Sequence, residues 1–302
     1  MKKIIVTGAT GFIGGALTKK LLLQGEKVYG IDINAERLEE MKQYGNFVPV
    51  VADFTMYYKL NELIKDKDFD CFIHTAWTGS FVGADCYNYK AHNQNIDAVC
   101  IACEKAKELG TKRFVFCGSS YQYMRSIDSN INPNYYGIVK KAAADYCYAI
   151  CQKNNIECNI AVLTNTYGIG DRSKKAVNTF IKKMLANKKI DLIEGLRPND
   201  WMYIDDTVEG IIKTAESPCS YKLYYVGHKS ITTFKEKLIA MKDILNSRSE
   251  LIFGTYLDNS FVDYSFLDPT ELTQDTDFKC KTDYAESIRK TAEWVKTLDW
   301  EV

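Results

Sequence analysis

Short apolar runs alternate with amphipathic stretches through the first half of the chain. Ile4-Ile5-Val6 is continuous and β-branched, which predicts a strand buried on both faces. Three glycines follow at Gly8, Gly11 and Gly14, and then Ala16–Gln24 places Leu17, Leu21 and Leu22 on one helical face. The alternation recurs. Strands are predicted at Lys27–Ile31, Phe47–Val51, Asp70–His74 and Arg113–Cys117, with helices over Asn34–Tyr44, Leu60–Lys65, about Ala91–Gly110 and about Asn134–Lys153. Repeated strand–helix units predict a doubly wound α/β fold, a parallel sheet with helices on both faces.

Composition narrows the picture. The 302 residues carry 39 Lys and Arg against 39 Asp and Glu, a net charge of zero, which argues against electrostatic binding of nucleic acid. No apolar run reaches the roughly 18 residues of a membrane span, and the chain enters its first strand at once, so no membrane segment or signal peptide is expected and a cytoplasmic location is. Among ten cysteines, Cys100/Cys103 and Cys147/Cys151 have ligand-like spacing. Both pairs fall in helical segments without histidine neighbours, so they read as small buried hydrophobes, and no metal site is expected.

The candidate chemistry lies at the ends of the predicted strands. A strand, a glycine turn and a helix N-terminus make an anion site, because free N–H groups and the helix dipole face a pyrophosphate. Asp32 ends the second strand, 18 residues beyond Gly14. A carboxylate there accepts from both adenosine ribose hydroxyls and repels a 2′-phosphate, favouring NAD, while Arg37 leaves NADP open. The competing role for Asp32 is a cap on the next helix. Asp53, after the third strand, fits either an adenine contact or a turn. After the fifth strand come Gly118-Ser119-Ser120 and then, past Pro133, Tyr136 and Lys140, which share a helical face at i,i+4. An ammonium beside a phenol is expected to lower its pKa and make it an acid/base group near neutrality.

These residues resemble the extended short-chain dehydrogenase/reductase family, the NAD-dependent nucleotide-sugar epimerases, dehydratases and ketoreductases. Thr7–Gly14, T-G-A-T-G-F-I-G, is similar to its cofactor turn, and His74-Thr75-Ala76-Trp77 to its H-x-A segment. Asn95 matches an N-x-x-x-T helix start with Val99 in place of threonine; Asn165–Gly170 matches N-x-Y-G-P-G with Ile169 for proline. Asp200–Asp206 matches R-D-F-x-Y-V-D-D with Asn199 for arginine. The resemblance implies Ser119, Tyr136 and Lys140 as the catalytic set. It implies a cofactor lined by Gly8, Thr10, Gly11, Phe12, Ile13, Gly14, Asp32, Ile33, Asp53, Phe54, Thr75, Ala76, Trp77 and Asn95, together with Tyr136 and Lys140. Substrate contacts are expected from Ser119, Ser120, Asn165, Arg172 and Arg197, the arginines for bidentate phosphate binding.

The implied architecture is a Rossmann-type dinucleotide domain, residues 1–165 plus about 200–226. A smaller mixed α/β substrate domain would comprise about 166–199 plus 227–302. The family's dehydratases carry Asp-Glu after the catalytic serine or threonine, whereas this chain has Ser120-Tyr121, which argues against dehydration. Gly118–Tyr123, G-S-S-Y-Q-Y, resembles the G-T/S-x-x-E-Y of sugar 4-ketoreductases and some epimerases, with Gln122 for glutamate. The expected activity is a nucleotide-sugar 4-ketoreductase; a 4-epimerase with retained NAD and a reductase of an unlinked carbonyl compound are the alternatives. The family resemblance also implies a homodimer through the helices near Ala91–Gly110 and Asn134–Lys153.

Overall fold

A computed structural model of the chain describes residues 1–79 and 87–301. Strand β1 (Lys3–Thr7) leads into α1 (Phe12–Leu23), β2 (Lys27–Asp32), α2 (Ala35–Met41), β3 (Phe47–Val51), the single-turn α3 (Leu60–Leu63) and β4 (Cys71–His74). There follow α4 (Tyr89–Glu108), β5 (Arg113–Ser119), β6 (Met124–Ser126), α5 (Tyr135–Lys153), β7 (Glu157–Leu163) and β8 (Asn165–Tyr167). The remainder holds α6 (Ala176–Leu185), β9 (Ile190–Ile193), β10 (Trp201–Tyr203), α7 (Ile204–Glu216), β11 (Lys222–Val226) and α8 (Phe234–Ile244). It closes with β12 (Leu251–Tyr256), β13 (Ser260–Val262), α9 (Thr270–Thr276) and α10 (Tyr284–Lys296).

Seven strands form one parallel sheet in the order β11-β7-β5-β4-β1-β2-β3. The alternation within β1 explains both layers. Ile4 and Val6 join Leu17 and Leu21 of α1 and Ile211 and Ile212 of α7. Ile5 points the other way, into a layer with Phe72, Phe114, Ala98 and Ala102 of α4, and Ala143 and Cys147 of α5. The cysteines serve this packing: Cys103, Cys147 and Cys151 are buried and free, with Cys103 Sγ 3.8 Å from Cys147 Sγ.

Two of the boundaries that differ from the sequence expectation shape the site. Helix α1 begins at Phe12, not Ala16, because Phe12 and Ile13 pack onto the core and draw Gly14 and Gly15 into the helix. Strand β5 runs two residues beyond Cys117, because Gly118 and Ser119 stay in register with Val162 and Leu163 of β7.

Beyond the main sheet, β8 pairs with β10 and β9 with β12, both in parallel. Antiparallel β13 pairs with β6, which directly follows the turn after β5. Ile127 N–H donates to the Asn259 carbonyl at 3.0 Å and Asp263 N–H to the Tyr123 carbonyl at 2.9 Å, so this late segment is stitched beside the Ser119 strand end.

The strand order reverses between β1 and β4, which opens a crevice at their C-terminal ends. Thr75 Oγ1 donates to the Thr7 carbonyl at 2.6 Å, and Ala76 N–H donates to Thr7 Oγ1 at 3.2 Å. His74 Nδ1 shares a 3.1 Å hydrogen bond with Thr7 Oγ1, and its ring lies among Tyr57, Phe114 and Phe116. Burial, with the Lys140 charge second, pulls His74 down to about 3. Neutral histidine is therefore built into the fold.

Two outcomes follow from this geometry. Between pH 6.5 and about 3 the unfolded chain binds a proton at His74 that the folded chain refuses, so this group makes stability fall as pH falls through that window. Its share at pH 5 relative to pH 7 is about 2 kcal/mol, to be read as the difference in urea-unfolding pH dependence between the natural chain and His74→Phe. A Cβ on Gly14 would sit 2.1 Å from the Gly8 carbonyl oxygen and 2.4 Å from Thr75 Oγ1. Gly14→Ala is expected to lower stability by about 1–3 kcal/mol in thermal or urea unfolding.

Candidate active site

The turn after β1 is shaped for close approach. Gly8 has φ +65°, and a Cβ there would lie 3.0 Å from the Ala76 backbone. Helix α1 has Gly11 at its N-cap with no side-chain cap, so no side chain of that residue occupies its first N–H groups. Asp32, at the end of β2, accepts from Thr10 N–H at 3.0 Å and Ile33 N–H at 2.8 Å. The cap of α2 is Asn34, accepting from Arg37 N–H at 2.9 Å, so the capping role weighed for Asp32 belongs to its neighbour. These residues fit a dinucleotide: a glycine cradle that a Cβ would fill, an anion-seeking helix end and a carboxylate at the ribose position.

The other expected cofactor residues divide. Ile33 and Asp53 are exposed, with Asp53 Oδ1 accepting from Thr55 N–H and Oγ1 at 2.8 and 2.6 Å; Phe54 packs edge-on against Tyr57. Thr75 and Ala76 form the crevice floor already described. Asn95 is fully buried, and its amide is engaged by the protein itself: Oδ1 accepts from Thr78 N–H at 2.8 Å and Nδ2 donates to the Thr78 carbonyl at 3.0 Å. It shapes the loop after β4 from behind.

Ser119, Tyr136 and Lys140 come together across β5 and α5. Asn134 caps α5, accepting from Gly137 N–H at 3.4 Å, and Pro133 lies just outside the helix. Gly137 is needed where α5 meets the turn after β5, since a Cβ would lie 2.2 Å from the Tyr121 carbonyl oxygen. Gln122 Nε2 donates to the Lys140 carbonyl at 3.3 Å and locks the same contact. The Ser119 hydroxyl hydrogen-bonds the Tyr136 phenol and also accepts from Tyr121 N–H at 3.3 Å.

The electrostatics differ from the expectation. Lys140 is buried and its Nζ donates to the Cys117 carbonyl at 2.8 Å, while lying 5.8 Å from the Tyr136 ring centroid. Burial dominates both groups. It pushes the Tyr136 phenol up to about 12, with the Ser119 hydrogen bond opposing, and pulls Lys140 down to about 7. At this separation the ammonium does not offset the loss of water around the phenol.

Aromatic neighbours complete the site. Trp77, His92 and Tyr121 meet the Tyr136 ring edge-on at centroid distances of 5.7, 6.0 and 6.0 Å. Trp77 and Tyr121 lie in segments singled out in the sequence, though neither was expected against Tyr136; His92 carries no motif, and only the packing of α4 onto α5 brings it in. The substrate candidates are dispersed. Ser120 is fully buried, with its hydroxyl unpartnered. Asn165 donates to Asn199 Oδ1 at 3.3 Å. Arg172 is exposed, 6.0 Å from the Trp294 ring centroid. Arg197 lies 4.1 Å over Phe261 of β13, the strand paired with β6 beside the Ser119 turn. A cavity of about 390 Å³ lies among Tyr167, Trp201, Tyr203, His228, Lys237 and Tyr284, and Ser119, Tyr136 and Lys140 do not line it. Among the described residues no helix is long and apolar enough to cross a membrane, and no cluster of His, Cys, Asp or Glu forms a metal site.

Known proteins resemble this chain in sequence and fold. The chain is 22% identical over 313 residues to the UDP-glucuronate 4-epimerase of Thermodesulfobacterium geofontis, covering 97% of this chain and 95% of that one. It is 30% identical over 235 residues to an uncharacterized UDP-glucose epimerase of Bacillus subtilis, covering 72% and 73%. The crystal structure of UDP-glucuronic acid 4-epimerase from Bacillus cereus in complex with NAD superposes with a TM-score of 0.80 at 21% identity, covering 97% of this chain and 96% of that one. That likeness is one of fold. The family model for the NAD dependent epimerase/dehydratase family matches residues 4–227, and the chain belongs to that family.

Proposed function

We propose that this protein is a nucleotide-sugar 4-epimerase that retains NAD through its catalytic cycle. The observation that carries the reading is the Tyr136 phenol hydrogen-bonded to Ser119 and backed by the Lys140 ammonium at the crevice where β1 and β4 diverge. The 4-epimerases among its relatives support this choice over the ketoreductase expected from Gly118–Tyr123. When bound, NAD supplies a hydride acceptor and donor. Ser119 Oγ holds the oxygen on the reacting sugar carbon. Tyr136 Oη takes the proton of that hydroxyl as the carbonyl forms and returns it when the hydroxyl is restored. Lys140, when protonated, supplies the positive charge that favours the phenolate against the effect of burial.

The ketoreductase remains a defined second reading, supported by the resemblance at Gly118–Tyr123, which some epimerases share, and by the short chain. The two are separated by one measurement. Interconversion of sugar epimers without net NADH consumption identifies the epimerase; stoichiometric NADH or NADPH consumption identifies the reductase. Turnover of no nucleotide sugar in a panel with varied bases and sugars overturns both.

Four substitutions probe the assigned roles. Tyr136→Phe is expected to lower kcat by about 10²–10⁴-fold while NAD binding stays close to that of the natural chain. Asp32→Ser is expected to narrow the preference for NAD over NADP, read as the ratio of dissociation constants. Arg197→Ala is expected to raise KM for the nucleotide sugar by about 10-fold with kcat little changed, whereas Arg172→Ala on the outer face is not.

A further inference from the structure

Trp77 touches both members of the reacting pair. Its ring face lies 3.7 Å from Lys140 Nζ, measured to the centroid, and Phe116 contributes a second face at 4.8 Å. Its edge meets the Tyr136 ring at 5.7 Å and 76°. The indole N–H is buried and finds no acceptor among the described residues, so nothing but packing and the ammonium orients the ring. Lys140 in turn has no carboxylate partner among the described residues. The titratable groups facing it are Cys117 and His74 from the sheet, and Tyr136 and Cys147 from its own helix. Within the protein the ammonium donates to the Cys117 carbonyl, and the quadrupole of the indole face adds negative potential beside it.

We propose that Trp77 is the positioning residue of the Tyr136–Lys140 pair, holding the ammonium on its π-face and the phenol ring against its edge. The inference rests on those two residues being the reacting pair. Trp77 makes no bond to the substrate in this role. It sets how readily Lys140 stays charged and how far that charge lies from the phenol. Removing the π-face without admitting polarity disfavours the ammonium, so the charge is lost at lower pH. Burial already holds Lys140 at about 7, which places the effect within reach of ordinary assays.

The test has an arm that needs no substrate. Tryptophan emission of the natural chain, titrated from about pH 5.5 to 9.5, is expected to show a step near pH 7 as the ammonium on the indole face titrates. Trp294 and Trp300 also face cations, so the step must vanish in Trp77→Phe. In turnover, Trp77→Leu is expected to lower kcat about 10-fold, leave KM for the nucleotide sugar within about two-fold, and move the alkaline limb down by about one pH unit. Trp77→Phe, which keeps a π-face, should recover most of both. No emission step in the natural chain, or a step that persists in Trp77→Phe, overturns the proposal without reference to activity. A Trp77→Leu enzyme with the natural kcat and pH profile also overturns it while leaving the proposed reaction standing. Failure of every nucleotide sugar to react, with the emission step present and lost in Trp77→Phe, overturns the reaction and leaves the ammonium–indole contact standing.

Discussion

The distance between the ends of β1 and β4 is the constraint on which the rest of the site depends. These neighbouring strands are bonded side by side, yet their continuations turn to opposite halves of the sheet. The crevice that results stays narrow because Thr75 and Ala76 are tied to Thr7, and because Gly8 and Gly14 present no side chain to one another. A helix N-terminus is thereby delivered to a floor of backbone. Any Cβ at Gly14 forces that floor apart, and the two core layers on either face of β1, one holding Ile4 and Val6 and the other Ile5, resist the movement because both are close-packed.

The second determinant is the burial of charge. Lys140 and Tyr136 sit on the same helical face, but a shared face does not make an ion pair. The lysine finds a carbonyl and two aromatic faces, the tyrosine a serine hydroxyl, and each is driven toward its neutral form by loss of water. A site arranged in this way is poised rather than charged. In the proposed reaction its acid/base power would be set by the separation of the two groups and by what covers them, which is why the Trp77 indole enters the proposal. His74 belongs to the same pattern: a titratable ring kept neutral beneath the crevice, so that the positive charge above it is confined to Lys140.

The parallel α/β alternation was legible because buried strands in such sheets are short, continuous and β-branched, and the helices between them carry a 3.6-residue stripe. That Ser119, Tyr136 and Lys140 would lie together was legible through spacing and through position after a strand; their chemical role rests on the proposed function. Helix α1 began four residues earlier than its leucine stripe announced, because glycines inside a first turn read as a loop while tertiary packing of Phe12 and Ile13 makes them helical. Asn95 matched a motif, yet its amide is turned inward to hold the Thr78 backbone, a distinction that depends on side-chain direction.

Local patterning by itself determined the order of the main strands and helices from β1 to α5, the glycine turn, the carboxylate at the end of β2 and the i,i+4 pair on α5, but not β7 or β11 of the same sheet. These are properties of residues within a few positions of one another, so periodicity and backbone preference suffice. Only the tertiary structure decided which partners those groups meet. It put Trp77, His92 and Tyr121 around Tyr136, set Lys140 on an indole face, and brought β13 with Phe261 and Arg197 alongside β6. Those contacts join positions tens to more than a hundred residues apart. Their energies, above all the balance between burial and charge that sets a pKa, exist only once the chain has closed around them.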